Sequence, residues 1–241
     1  MRAGVVGGDM NSGSSLLLRS VAEELKLPLL QIGRDAELQD MASTGANIDL
    51  TRIQNNADMA LLLIDSYLLG LELNEAQTEL LLEPVSLTGT LNDAAHTLSK
   101  FARQYNTKFE LVSSGKFGLV MAHAIALRAA LLSLGYALIS VPQLDKSNHR
   151  IVLGVHQSGH GLVAGVYGDF DAIAHTHLKQ ARSLYGRARQ PFRMLSSGSA
   201  AGVFVADTIF QAMHTKLNVS HHHKNIGLAA TLQPSKQLLL V

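Results

Sequence analysis

The sequence predicts an α+β chain. An N-terminal antiparallel helical hairpin forms a dimeric four-helix bundle, and a two-layer α/β sandwich follows it. Three observations point there. Leu18, Val21, Leu25, Leu29, Ile32 and Ala36 recur at spacings of three and four, and so do Ile53, Ala57, Ala60, Ile64, Leu68 and Leu71. Each run is the signature of an apolar stripe on a helix. From Leu80 onward, strand-like and helix-like stretches alternate without a regular βαβ rhythm, which fits a mixed sheet covered on one face by helices. Hydrophobic residues make up 47% of the 241 residues and charged residues 16%, which places the chain among globular proteins rather than disordered ones.

Residues 1–13 are Gly- and Ser-rich and read as a flexible leader, with Ser14 or Ser15 as the first helix cap. The hairpin is assigned to residues 14–78. Pro28 lies inside its first helix, where it removes a hydrogen bond and costs about 3 kcal/mol, so the helix bends or breaks there. Ala42–Asn47 is the turn. One hairpin cannot hide both stripes, and each buried Leu or Ile is worth about 1.5–3 kcal/mol. Pairing two hairpins as a homodimer solves this. Packing the hairpin on the domain that follows is the other solution. The predicted dimer interface is Leu18, Val21, Leu25, Leu29, Ile32, Ile53, Ala57, Ala60, Ile64 and Leu68.

Residues 79–241 form the α/β domain. Its expected elements are a strand over Leu81–Leu87, a helix over Thr88–Gln104, a strand over Phe109–Ser113 and a long buried helix over Phe117–Ile139. Two strands, Arg150–His156 and Leu162–Gly168, flank a hairpin turn. Helices over Asp171–Tyr185 and Gly198–Leu217 follow, then a strand around Gly227–Leu232.

Several function classes are excluded by composition. A net charge of +1 carries no electrostatic footprint for nucleic acid. Cys is absent, so there is no disulfide, thiolate metal site or thiol nucleophile. No signal peptide is recognisable and the apolar runs are far shorter than a membrane span, so a cytoplasmic chain without membrane insertion is expected. His221, His222 and His223 are adjacent, and neighbours on a strand point to opposite faces, so they read as an exposed loop or edge strand. His156 and His160 bracket a turn and read as solvated, as do His175, His177 and His96.

The order of elements resembles the core of bacterial sensor histidine kinases over nearly the whole chain. In that family the hairpin dimerises and carries the phosphoacceptor, and the α/β part binds ATP. The string Ala22-Glu23-Glu24-Leu25-Lys26-Leu27-Pro28-Leu29 is similar to the family's SHELRTPL box and accounts for Pro28, but Glu23 occupies the phosphoacceptor position. The resemblance places Arg128 and Leu132 where the family has two Asn that hold Mg²⁺ and phosphates. It places Gly168 at the adenine-reading Asp, although a one-residue slip would put Asp169 there. Gly198, Ala200 and Gly202 fall on a glycine-rich phosphate loop with its middle glycine replaced. The basic stretch 179–193 corresponds to the lid over the nucleotide and reads here as a solvated loop.

The resemblance therefore implies a degenerate histidine-kinase-like protein without a cofactor, acting by dimerisation and by binding a signalling partner such as a response regulator. An active kinase or phosphotransferase with unusual motifs is the enzyme alternative. A plain structural dimer is the third.

Overall fold

The computed structural model describes residues 21, 25–26, 28–37, 50–76, 80–113, 115, 117–140, 150–168, 179 and 199–236. The expected turn at 42–47 lies outside them, as does the expected helix at 171–185 apart from the helical Lys179.

Residues 28–37 form α1. The helix α2 spans Leu50–Ala76. Beyond it come β1 (Glu83–Ser86), α3 (Leu87–Gln104), β2 (Lys108–Ser113), β3 (Leu119–Ala122) and α4 (Ala124–Ile139). The remainder is β4 (Arg150–Ser158), β5 (Gly161–Gly168), α5 (Ser199–Ala212), β6 (Leu217–His222) and β7 (Asn225–Leu232).

The main sheet has the order β2-β4-β5-β7-β6. The β2–β4 pair is parallel and the others are antiparallel, so the expected mixed sheet is present. Its inner face is apolar by strict alternation: Ile151, Leu153 and Val155 on β4, Leu162, Ala164 and Val166 on β5, and Leu228, Ala230 and Leu232 on β7 all join the core. The outer face holds a smaller cluster of Val152, Val163, Tyr167 and Ala229.

Local chemistry sets the helix ends. Ser86 caps α3, its hydroxyl accepting from the Gly89 N–H at 3.2 Å. The buried side of α3 is Leu87, Leu91, Ala94, Leu98 and Phe101. The helix stops where Asn106 takes a left-handed φ of 51° and the Thr107 N–H returns to the Ala102 carbonyl. Buried Asp207 on α5 accepts from the Leu217 N–H at 3.3 Å and from Gln211 at 3.1 Å, which ties the helix to the start of β6.

Two expected elements need correction. Phe117–Ile139 is not one helix. Leu119–Ala122 pairs antiparallel with β1, and α4 starts only after His123, whose Nδ1 accepts from the Ala126 N–H at 3.3 Å. A short apolar run looks the same by periodicity whether it is a buried strand or a buried helix turn. The helix expected over Gly198–Leu217 ends at Ala212, with His214 at a left-handed φ of 58° and Leu217 already in β6.

Helix α2 packs on α5 and α4, and its Met59, Leu63, Tyr67 and Leu73 belong to the domain's own core. The approach is close: a Cβ on Gly70 would stand 3.1 Å from Val205 Cγ2. Val21 and Leu25 also rest against this core. The opposite flank of α2 leaves Leu61, Ile64 and Leu68 exposed at 61%, 39% and 53%.

Candidate functional site

Helices α2 and α4 border a cleft of about 470 Å³. Helix α2 contributes Asp58, Leu61, Leu62, Asp65, Ser66 and Leu69, and α4 contributes Ile125, Arg128, Ala129 and Leu132. The spacing explains the lining. Asp58, Leu62, Asp65 and Leu69 are three and four apart, so they share one face of α2. On α4, Ile125, Arg128 and Leu132 do the same. The result is an apolar floor with two carboxylates on one wall and a guanidinium on the other. Ser66 is turned back on its own helix, its hydroxyl donating to the Leu62 carbonyl at 2.8 Å. Such a cleft suits a partner segment that carries both a basic and an acidic group on an apolar stem.

The cleft contains two of the sequence-predicted positions, Arg128 and Leu132. Arg128 is exposed and Leu132 is 1% exposed within the core. Neither offers the oxygen ligands that Mg²⁺ demands, so these positions do not fit a magnesium nucleotide. Gly202 lies elsewhere, at the crossing of α5 and α4, where a Cβ would stand 2.6 Å from the Ser133 carbonyl oxygen and 2.9 Å from Ala137 Cβ. It is a glycine of close helix packing. Gly168 is buried at the end of β5, paired with Ile151 and Ile226. Ala200 is in α5, and Gly198 and Glu23 lie outside the described residues.

The expected interface residues fall into different surroundings. Leu29, Ile64 and Leu68 are exposed, Val21, Leu25, Ile32, Ile53 and Ala57 are half-buried, and Ala60 is buried. Leu18 lies outside the described residues. Pro28 is buried. Burial pushes the Tyr105 phenol up to about 12, with Tyr136 and Gln31 offsetting part of the rise.

Asp58 and Asp65 were not singled out by the sequence, since two carboxylates seven apart on a helix usually mark a solvated face. A second missed group lies on the outer face of the sheet. His222 is 4% exposed, and His156 lies against it with the two Nδ1 atoms 3.2 Å apart. The sequence places His156 in solvent and His222 in an exposed loop or edge strand; β6 is the edge strand, but the His222 ring is buried. The correction has a geometric cause, for His222 lies over Gly154 of β4, the strand that carries His156. Desolvation, and then the charge of His223, hold both imidazoles below the usual histidine value; His156 adds to the effect on His222. Burial pushes Tyr167, stacked on His222, up to about 12, with Ser220 offsetting part of the rise. Among the described residues no group of three or more His, Asp or Glu stands assembled for a metal ion. No described helix is long and apolar enough to cross a membrane.

A mixed five-stranded sheet with a helical layer over its inner face, and a further helix packed on that layer, defines the class: this is the fold of the histidine-kinase core. The Acinetobacter baumannii histidine kinase AdeS is similar with a TM-score of 0.50 and 12% identity, over 88% of this chain and 98% of that one. A bacterial phosphotransferase is similar with a TM-score of 0.50 and 13% identity, over 93% and 98%. Full-length ShkA, solved with AMPPNP, is similar with a TM-score of 0.51 and 17% identity, over 92% of this chain and 46% of that one. No protein-family model matches the chain, and no curated protein does. At these identities the shared property is the fold.

Proposed function

We propose that this chain is a histidine-kinase-like signalling protein that acts by forming a homodimer and binding a partner, without ATP-dependent autophosphorylation. The observation that carries the reading is the absence of any histidine before His96. No residue of the hairpin segment can form a phosphohistidine, whatever the alignment of Glu23 with the family's box. Arg128 and Leu132 support it from the nucleotide side, because neither can ligate Mg²⁺. The same absence weighs against a phosphotransferase that relays a phosphoryl group through a hairpin histidine, the reading that the similar bacterial phosphotransferase would suggest.

The exposed row Leu61, Ile64 and Leu68 supports dimerisation, since such a row is apolar surface that a second helix pair would cover. The cleft with Asp58, Asp65 and Arg128 is the docking place we assign to the signalling partner. Incubation with γ-³²P-ATP and Mg²⁺, calorimetry with ATP, and light scattering test the reading together. A dimer that neither labels nor binds ATP is expected. Acid-labile label on the chain would overturn the reading.

A further inference from the structure

The outer face of the main sheet carries a feature that neither kinase-type chemistry nor dimerisation uses. His156 projects from β4 and His222 from the end of β6, strands separated in the sheet by β5 and β7. The rings meet because His222 lies over Gly154: a Cβ at that glycine would stand 3.1 Å from His222 Cδ2 and Nε2. A side chain at 154 would therefore force His222 away. Tyr167, paired with Val152 and Gly227 in its neighbouring strands, stacks on His222 with ring centres 5.0 Å apart. His223, in the turn between β6 and β7, meets His222 edge-on at 4.6 Å. His222 is thus held between Tyr167, Gly154 and His223, with its Nδ1 presented to His156 Nδ1 at 3.2 Å. Its Nε2 is buried and has no hydrogen-bond partner.

We propose that His156 and His222 form a binding site for a divalent transition-metal ion, with zinc as the ion the geometry fits. Two imidazole nitrogens on one tetrahedral zinc, each about 2.0–2.1 Å from the metal, stand roughly 3.3 Å apart. The two Nδ1 atoms already stand at 3.2 Å. Without a metal, one Nδ1 carries a proton and donates it to the other. With zinc between them, both Nδ1 lone pairs point at the ion and both rings carry their proton on Nε2. Imidazole suits zinc, copper and nickel and is a poor ligand for magnesium or calcium, so the site is selective by donor type. Two protein ligands leave coordination positions for water. The exposed His223 is the one further imidazole in ring contact with the pair among the described residues. A metal here would clasp β4 to the edge strand β6 across the two strands between them.

The test is a zinc titration of the EDTA-treated full chain, read by equilibrium dialysis and by ¹⁵N resonances of the histidine rings. One zinc ion per chain is expected, with the Nδ1 resonances of His156 and His222 moving first. His156→Gln should weaken binding at least about tenfold, while His160→Gln, an exposed neighbour in the β4–β5 turn, should not change it. If the glutamine variant does not fold, the ring resonances of the unmodified chain decide alone. The proposal is overturned by no binding at about 100 µM zinc, by other histidines responding first, or by a folded His156→Gln that binds zinc as before.

Discussion

Gly202 of α5 faces the backbone of α4 so closely that a Cβ would stand 2.6 Å from the Ser133 carbonyl oxygen. Backbone cannot move aside as a side-chain end can. Gly202→Ala should therefore lower unfolding free energy in urea by about 1–3 kcal/mol, the usual cost of overpacking. Gly118, which has open space around it, is the control, and alanine there should change stability by no more than about 0.5 kcal/mol.

Leu132 offers a sharper test of the proposed loss of nucleotide binding. An Asn at this position would supply the residue type that the resemblance to histidine kinases implies, but would place an amide where 1% of the residue is exposed. Loss of the buried leucine and desolvation of the amide add, so Leu132→Asn should cost on the order of 3 kcal/mol. Thermal or urea denaturation reads the loss. Calorimetry with ATP and Mg²⁺ should show no binding gained.

The exposed flank of α2 makes a separate prediction. Replacing Leu61 and Leu68 together by Glu puts charge on a face that carries no core contact. Monomer stability should change by about 0.5 kcal/mol or less, while a dimer seen by light scattering should dissociate. A double variant that stays dimeric would place the interface elsewhere.

The imidazole pair makes stability depend on pH. Both rings bind protons less readily folded than in the unfolded chain, where histidine titrates near 6.5. Above that value both states are neutral and the pair adds no slope. Below it the unfolded chain takes up protons that the folded pair refuses, so stability falls with pH and levels off below the folded values. Urea midpoints measured between pH 8 and pH 5 should show this fall, and a shallower one in His156→Gln.

What could be read from the sequence depended on periodicity and on turn signals. The α3 stripe was legible because burial on one side leaves a period; β4 and β5, buried on both faces over most of their length, were legible as apolar runs flanking a glycine-containing turn. Leu119–Ala122 was not, since a four-residue apolar strand carries no period of its own. Helix α2 was legible as a helix, but its buried side was not. It has Met59, Leu63, Tyr67 and Leu73 on one flank and Leu61, Ile64 and Leu68 on another, so two stripes compete and only one was seen. His222 escaped notice for a different reason. Its neighbour His156 is 66 residues away in the chain, and nothing local announces that Gly154 makes room for the ring.

After β7 the backbone turns to join β3: the Met121 N–H donates to the Gln233 carbonyl at 2.8 Å, and the Ser235 N–H to the Leu119 carbonyl at 2.7 Å. The small β1–β3 ribbon is thereby closed by residues made more than a hundred positions later. Such a long-range closure is slow to form, because the intervening chain must first be ordered. Until residues 233–235 are in place the ribbon keeps one edge open. Helix α2, seated on α4 and α5, needs no part of that closure.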